Sequence, residues 1–343
     1  MAGTPSIAVV GPNGLIGREI LSLLEERGLA GEIRLLGSVK TAGGEVDDDE
    51  GGAARKIDLL GPSSFAGVDV AFFAAGPAVA GAHAPAAAEG GTTVIDLSSR
   101  FRLDDGVPLV VPEVNADAIA ERRERNIVAS PSATAVALAI VLGPLAQEAG
   151  LRRVVVSTYQ GVSGAGGRAL GTLSRESADL MNARGRRRPR FARPIAFNCV
   201  PQVGELEPGG STTHELRVVE ETRKVLSRPE LPMLVTAVRV PVFFGYALSV
   251  NVETESPLDA AAAADVLRAA PGVLLHDATT REVPSYPTGV DVAGSDATHV
   301  GRLRDDPSAD PPGIALWIAL DNVRKGAALN AVQIAEILVR DYL

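Results

Sequence analysis

The chain has 343 residues, a length that suits two domains better than one core. Its net charge of −9 repels phosphate backbones, and its 4% aromatic content predicts a core of small and branched aliphatic side chains, as in α/β folds. No apolar run reaches the roughly 20 residues that span a bilayer, and residues 1–5 lack a signal-peptide pattern, so we expect a cytoplasmic chain without membrane or nucleic-acid partners.

The first 132 residues alternate strands and helices. An apolar run at residues 6–10 predicts a buried parallel strand, and a helix with apolar side chains at helical spacing follows it as far as Gly28. Further strands are predicted at residues 32–36, 68–74, 92–96 and 126–129, and a helix at 81–89. This order predicts an α/β, Rossmann-like doubly wound domain over residues 1–132, completed by a C-terminal helix over 325–343.

The pattern changes after Gly150. Long β-rich stretches follow, with few helices predicted between them, at residues 153–159, 234–243, 248–255, 300–303 and 314–320. They predict an α+β domain with a mainly antiparallel sheet, covered by helices on one face. This second domain is assigned to residues 133–324, and a helix at 134–148 opens it.

Two segments are predicted to lie at the surface. Residues 43–54 are rich in glycine and acidic side chains, which is typical of a mobile loop. The arginine-rich run Arg184–Arg193 favours a solvated loop, with an anion-binding site as the alternative.

Three glycines between the first strand and the first helix indicate a dinucleotide site. Gly11, Gly14 and Gly17 would allow a tight turn, the approach of a pyrophosphate, and the packing of the helix on the sheet. Free amides at the start of the helix would then bind the phosphates. A plain turn is the alternative, and the strand and helix on either side favour the binding site.

The residues after the second strand favour NADP over NAD. NAD enzymes place an acidic residue there to hold the ribose 2′-hydroxyl. This chain instead has Ser38, Lys40 and Thr41, whose hydroxyls and amine suit a 2′-phosphate. The alternative is that Lys40 is an ordinary surface lysine.

Blocks along nearly the whole chain resemble bacterial aspartate-semialdehyde dehydrogenases. After the glycine turn they are Arg18-Glu19-Ile20, residues 94–102 (VIDLSSRFR), 110–115 (VVPEVN), 158–166 (TYQGVSGAG), 221–224 (ETRK), 239–242 (RVPV) and 321–328 (DNVRKGAA). The resemblance implies the fold described above, NADP as cofactor and a homodimer. It also implies that the cofactor site includes Asn13, Leu15, Ile16, Ala75, Gly76, Ser98 and Asn330.

Members of this family share a mechanism that needs a cysteine and a histidine. The thiolate attacks the aldehyde, the histidine moves a proton, hydride passes to NADP⁺, and phosphate attacks the resulting thioester. The family's Asn-Pro-Asn-Cys turn is matched here by residues 130–133, with Ala133 in the place of the cysteine. Tyr246 stands in the place of the histidine and is a poor base at neutral pH. The hydroxyls of Ser132 and Thr134 are weaker nucleophiles that would need a base.

The resemblance implies that the residues for a small anionic substrate are largely kept. Arg102 matches a phosphate-binding arginine, Arg239 matches the arginine that clamps the substrate carboxylate, and Gln160 matches the residue that orients the substrate. The alternative for each arginine is an ion pair with a structural carboxylate.

A Glu-Glu-x-Lys segment of the family, which contributes further anion contacts, is altered in this chain. The matching residues are His214, Glu215, Leu216 and Arg217, so one carboxylate has become a histidine and the lysine has become an arginine. Arg217 could still hold an anion through its charge.

Cys199 is the single cysteine, which excludes an internal disulfide framework. Its apolar surroundings in the sequence favour a small buried hydrophobic residue, with a relocated nucleophile as the alternative. The four histidines show no ligand spacing, so no metal is expected.

Three functions remain open. The leading hypothesis is a catalytically silent homologue, similar to the Usg-type paralogues of the family, that binds NADP, a metabolite or an active relative. The second is an NADP-dependent oxidoreductase that transfers hydride directly to or from a small anionic substrate, with Tyr246 as the acid. The third is a genuine aspartate-semialdehyde dehydrogenase with displaced catalytic residues.

Overall fold

The chain forms two compact units in the computed structural model, which describes residues 4–46, 54–184, 190–276 and 285–343. The first unit comprises Met1–Ser132 and Ala327–Leu343, and the second comprises Ala133–Gly326. Parts of the predicted loop at 43–54 and of the run Arg184–Arg193 lie outside the described residues.

A seven-stranded sheet forms the first unit. Its strands are β1 (Ser6–Val10), β2 (Glu32–Gly37), β3 (Glu45–Val46), β4 (Arg55–Leu59), β5 (Val70–Phe73), β6 (Thr93–Asp96) and β7 (Ile127–Ala129), in the order β3-β4-β2-β1-β5-β6-β7. All neighbours pair in parallel except β3 and β4. β1 lies inside the sheet and the chain winds outward on both sides of it, which is the predicted doubly wound arrangement. The hairpin of β3 and β4 was not predicted.

Eight α-helices belong to the two units. They are α1 (Leu15–Glu26), α2 (Pro77–Glu89), α3 (Pro112–Asn115), α4 (Ala133–Ala149), α5 (Gly167–Met181), α6 (Thr213–Val225), α7 (Ala260–Ala269) and α8 (Asn330–Asp341), as counted within the described ranges. The predicted C-terminal helix over 325–343 is therefore shorter, because residues 324–329 form a π-helical turn before α8.

The strands β1, β5, β6 and β7 of the first unit are buried on both faces, as in a sheet that helices cover, whereas β4 is mostly exposed. Ile7, Val9 and Phe72 are fully buried. From the C-terminal end of the chain, Ile334 and Leu338 of α8 join the same core. Near-continuous burial of this kind is what the apolar runs of a parallel sheet predict.

The second unit contains a six-stranded mixed sheet. Its strands are β8 (Arg153–Gln160), β9 (Met233–Arg239), β10 (Tyr246–Glu253), β11 (Val273–Leu275), β12 (Thr298–Asp306) and β13 (Gly313–Leu320), in the order β11-β12-β13-β10-β8-β9. The central pairs are antiparallel, whereas the two edge pairs are parallel. The expectation of few helices was wrong, because the parallel neighbours β8 and β9 need a crossover connection, and this connection carries α5 and α6.

The ends of two strands differ from the prediction in a way that matters for the site. The predicted strand over 234–243 runs past Pro241, but β9 ends at Arg239, and proline cannot donate to a strand ladder. Gly245 follows with a positive φ of 87°, and β10 begins at Tyr246. The chain therefore turns between Arg239 and Tyr246 and leaves both at strand ends.

One face of the second sheet packs against helices. Leu138 and Leu142 of α4 share a buried core with Val250 and Leu316 of the sheet. Although α4 is strongly apolar, no helix in the described part of the chain is long and apolar enough to cross a membrane.

Candidate functional site

The turn between β1 and α1 requires glycine at two positions. Gly11 has a φ of 86°, and a Cβ atom there would lie 3.1 Å from the carbonyl oxygen of Ala74. A Cβ at Gly17 would overlap the carbonyl oxygen of Gly11, so the first turn of α1 packs directly on the loop. Gly14 precedes α1 and provides no side-chain cap, which leaves the first amides of the helix available to an anion.

A second uncapped helix start lies at the same edge of the first sheet. Gly76 precedes α2, provides no side-chain cap and is exposed beside Ala75. β1 and β5 are parallel neighbours, so the turns that follow them meet at the carboxyl edge of the sheet. Pro77, the first residue of α2, has no amide hydrogen, and the amide of Val79 donates to the carbonyl oxygen of Gly76 at 3.0 Å. The free amides that suit a phosphate group at this edge therefore come mainly from α1.

Asn330 carries a buried polar atom with no protein partner. Its Nδ2 donates to the carbonyl oxygen of Val110 at 3.0 Å and to Oγ of Ser130 at 2.9 Å. Its Oδ1 is buried and has no hydrogen-bond partner. Buried oxygens are normally paired, so this atom suits a donor on a bound molecule, such as the carboxamide of a nicotinamide.

The turn after β2 presents hydroxyls and an amine but no carboxylate. The amide of Thr41 donates to the carbonyl oxygen of Ser38 at 2.8 Å, and the two hydroxyl oxygens lie 3.4 Å apart. Ser38 and Lys40 are exposed. This turn is chemically compatible with the 2′-phosphate of NADP.

Asp96, at the end of β6, fixes the loop that carries Arg102. Its carboxylate accepts hydrogen bonds from the amide of Ser98 at 3.0 Å and from Oγ of Ser98 at 2.9 Å. Burial raises the pKa of Asp96, and these bonds and the charge of Arg102 partly oppose that rise. Arg102 donates from Nε to Ser130 at 2.9 Å and from Nη2 to Leu97 at 2.8 Å, both to carbonyl oxygens, so its guanidinium is held in one orientation.

In the second unit, the start of α4 lies close to the end of β8. Ala133, the first residue of α4, is half-buried, and the next residue, Thr134, is fully buried. Gln160, the last residue of β8, donates from Nε2 to Oγ1 of Thr134 at 3.3 Å and to Oγ1 of Thr158 at 3.2 Å. Gln160 is thereby placed beside the helix start, and its buried Oε1 has no protein partner.

Tyr246 and Arg239 meet at the same end of the sheet. Tyr246 pairs with Gln160 in the β10–β8 register, and its hydroxyl lies 3.4 Å from Nη1 of Arg239. A Cβ at Gly164 would overlap this hydroxyl, so the glycine provides the space that the tyrosine occupies. Nη1 of Arg239 also donates to the carbonyl oxygen of Gly161 at 2.8 Å.

The rest of the Arg239 guanidinium is open to a ligand. Within the described residues its hydrogen bonds all come from Nη1. No carboxylate forms a salt bridge with it there, although the side chain is buried. A buried guanidinium held at one nitrogen and unpaired at the others suits a carboxylate that binds in a fork.

Comparison with known proteins identifies the family. Residues 6–122 match the model of the semialdehyde dehydrogenase NAD binding domain, and residues 142–325 match that of the semialdehyde dehydrogenase dimerisation domain. Aspartate-semialdehyde dehydrogenase 2 of Vibrio cholerae is 41% identical over 339 residues, which cover 98% of this chain and 98% of that protein. The chain belongs to the aspartate-semialdehyde dehydrogenase family.

Solved structures of the aspartate-semialdehyde dehydrogenase family agree with this assignment. That of aspartate semialdehyde dehydrogenase II from Vibrio cholerae has a TM-score of 0.94 at 40% identity and covers 99% of this chain and 100% of its own. A probable aspartate-semialdehyde dehydrogenase from Pseudomonas aeruginosa has a TM-score of 0.91 at 37% identity, again over 99% and 100% of the two chains. The predicted family, the two-domain α/β fold and the dinucleotide-binding character of the first domain are thereby confirmed.

A more distant relative shares the fold alone. An aspartate semialdehyde dehydrogenase from Candida albicans, solved with NADP, has a TM-score of 0.76 at 20% identity and covers 98% of each chain.

His214 is the functional candidate to which the sequence analysis assigned no role. It lies in the first turn of α6, and its Nε2 is 2.9 Å from Nε2 of Gln160. The structure therefore brings an imidazole to the residue that also contacts Thr134 at the start of α4. The only sequence signal for His214 was that a histidine stands where the resemblance places a carboxylate of the family's Glu-Glu-x-Lys segment.

Glu215 has a structural role in addition to any role with anions. Its two carboxylate oxygens accept hydrogen bonds from the amides of Thr212 and Ala237, each at 2.7 Å. Thr212 and Glu215 form a capping box at the start of α6, a Thr-x-x-Glu pattern that the sequence contains. Arg217, two residues further on, is exposed.

The expectation that Cys199 is buried was wrong. Its side chain is exposed, although the next residue, Val200, is buried. Val200 and Arg239 exchange backbone hydrogen bonds of 2.9 and 2.8 Å as an isolated bridge. Because side chains alternate across extended backbone, the residue before Val200 points away from the core.

Proposed function

We propose that this chain binds NADP and a small anionic metabolite on the family's scaffold without carrying out the family's thiolate chemistry. The observation that carries the proposal is Ala133, which presents only a methyl group at the start of α4. The polar side chains beside it, Thr134 and Gln160, are hydrogen-bonded to each other. Gln160 and Arg239 keep positions suited to an anion, whereas the nucleophile position has no reactive atom.

The neighbouring side chains do not replace the missing thiol. A cysteine at residue 133 would sit at a helix N-terminus, which favours a thiolate. The hydroxyl of Thr134 is buried and accepts a hydrogen bond from Gln160. The hydroxyl of Tyr246 lies against the cationic Arg239, where it is suited to hydrogen bonding and not to removing a proton.

The first unit supports the NADP part of the proposal. The free amides in the first turn of α1, after Gly14, would hold the phosphates, and Asn330 would accept a hydrogen bond from the carboxamide. Around the 2′-phosphate, Lys40 would add a positive charge. When bound, this cofactor supplies a carrier of hydride.

A homodimer is proposed for the second unit. The matching family model describes a dimerisation domain, and the face of the sheet opposite the helices exposes apolar side chains. Leu234 is 57% exposed, and Tyr159 packs near Trp317 with ring centres 5.5 Å apart. We expect light scattering to give twice the chain mass of 35.4 kDa, and the mass of one chain would contradict the homodimer.

His214 favours a second candidate function, an NADP-dependent oxidoreductase that uses no covalent intermediate. Direct hydride transfer needs a residue that exchanges a proton with the substrate oxygen. An imidazole serves this purpose at neutral pH better than a phenol does, and His214 lies 2.9 Å from the amide of Gln160. In this alternative Arg239 holds the anionic group and His214 or Tyr246 provides the proton.

Replacing Lys40 should weaken NADP binding selectively. Lys40→Gln removes a charge from the turn that suits the 2′-phosphate, so NADP affinity should fall about tenfold and NAD affinity should stay unchanged. Calorimetric titration of the purified chain measures both. Lys56→Gln, at an exposed position on β4 of the same unit, is the matched control. Failure of the unmodified chain to bind either cofactor would contradict both candidate functions.

Restoring the two missing side chains should create aldehyde oxidation. In a Cys199→Ser background, Ala133→Cys with Tyr246→His should give phosphate-dependent reduction of NADP⁺ by aspartate semialdehyde, followed by NADPH absorbance. The unmodified chain and the Tyr246→His variant should give none, because neither has a thiol at residue 133. Turnover by the unmodified chain that Cys199→Ser abolishes would show that Cys199 is the nucleophile, and the proposal would be wrong.

The oxidoreductase alternative predicts a role for His214 in the pH profile. If it is correct, the chain oxidises NADPH in the presence of a small carbonyl compound that carries a carboxylate. His214→Asn should then lower the rate by about 10²-fold or more and remove the pH dependence in the range where imidazoles titrate. The control variant His276→Asn, which lies outside this site, should leave the rate and its pH dependence unchanged. An unaltered pH profile in His214→Asn would refute the assignment of the proton to His214.

A further inference from the structure

An arginine-lined cavity in the second unit is not used by the proposed function. It has a volume of about 1000 Å³, and its lining comes from α5, from Arg184 and Arg190, and from Pro194, Ala196, Phe197 and Asn198. Four guanidinium groups belong to this lining, from Arg168, Arg175, Arg184 and Arg190. The first two belong to α5, and the other two are described residues of the arginine-rich run.

Two of these arginines are aligned along α5. Arg168 and Arg175 are seven residues apart, so they share one face of the helix at a separation of roughly 10 Å. Both are exposed, and neither pairs with a carboxylate within the described residues. Their charges are therefore available to an anion that extends over two helical turns.

Two carboxylates, Glu176 and Asp179, accompany the four guanidinium groups of the lining, which therefore carries an excess of positive charge. Oε2 of Glu176 accepts hydrogen bonds from the amides of Ile195 and Ala196, at 2.8 and 3.1 Å. Asp179 lies 4.0 Å from Arg184 and offsets that one arginine. In a chain of net charge −9, this local positive charge favours the binding of an anionic ligand.

The cavity also offers amides and an apolar surface. α5 begins at Gly167, and the preceding Gly166 provides no side-chain cap, so free amides of the first turn lie at the cavity. Phe197, outside α5, is 68% exposed, and Leu180, near the end of α5, is 37% exposed. An exposed aromatic ring beside guanidinium groups suits a ligand that is both planar and multiply charged.

We propose that this cavity binds a nucleoside polyphosphate. Its phosphates contact Arg168, Arg175 and the first amides of α5, and its base packs on Phe197. The volume of the cavity is of the size that nucleotide-sized ligands occupy. ATP and the dinucleotide NADP both present this chemistry, and no residue of the cavity lining belongs to the proposed NADP site of the first unit.

The test is a calorimetric titration of the full chain with ATP, tripolyphosphate and adenosine at physiological ionic strength. ATP should bind, and adenosine should bind far more weakly. The double variant Arg168→Gln/Arg175→Gln should weaken ATP about hundredfold, because two charge-assisted contacts are lost. Phe197→Ala should weaken ATP by about fivefold and leave tripolyphosphate unchanged, because only the base uses the ring.

Two control variants separate this site from other sources of binding. Arg268→Gln removes an exposed arginine on α7 of the same unit and should leave ATP binding unchanged. Lys40→Gln alters only the proposed NADP site, so it should also leave ATP affinity unchanged. If the Lys40→Gln variant still binds NADP and the double variant does not, the cavity also takes the dinucleotide.

Three results would overturn the proposal. The first is an equal loss of ATP binding in Arg268→Gln and in the double variant, which would indicate unspecific charge. The second is ATP binding that Lys40→Gln abolishes and the double variant retains. The third is tripolyphosphate binding as tight as that of ATP, together with ATP binding that Phe197→Ala does not weaken, which would leave an inorganic polyanion or an acidic protein segment as the occupant.

Discussion

The register of three neighbouring strands organises the chemistry of the second unit. β8 pairs in parallel with β9 so that Gln160 lies beside Arg239, and antiparallel with β10 so that Gln160 lies opposite Tyr246. A shift of one residue in either pairing would turn one of these side chains to the other face of the sheet. The amide of Gln160 then links this sheet end to Thr134 at the start of α4 and to His214 of α6.

Under the proposed function, the site lacks the family's chemistry while the fold stays intact. Ala133 is a good residue for a helix, and its methyl group creates no buried polar group. Gly164 leaves room for the hydroxyl of Tyr246 beside Arg239. The packing of the second unit is therefore compatible with an alanine and a tyrosine at these two positions.

The anion-binding groups that we propose differ between the two units. In the first unit they are backbone amides at a helix start, which depend on glycine and on the crossing point of a doubly wound sheet. In the second unit they are guanidinium groups, with Arg239 buried at the strand ends and Arg168 and Arg175 exposed along α5. Both kinds of group concentrate positive charge locally in an acidic chain.

The sequence determined the family, the doubly wound first unit and the glycine turn. These features are local or have a fixed period, so motifs and hydrophobic patterns carry them. Strand ends such as Arg239 and the crossover that makes β8 and β9 parallel were missed, since they depend on pairing between distant segments.

Only the tertiary structure showed that His214 approaches Gln160, that Glu215 accepts a hydrogen bond from the amide of Ala237 and that Cys199 is exposed. Each of these facts depends on how segments far apart in the chain pack against one another. Side-chain chemistry limits what a residue can do, and the packing of separate elements decides which partner it meets.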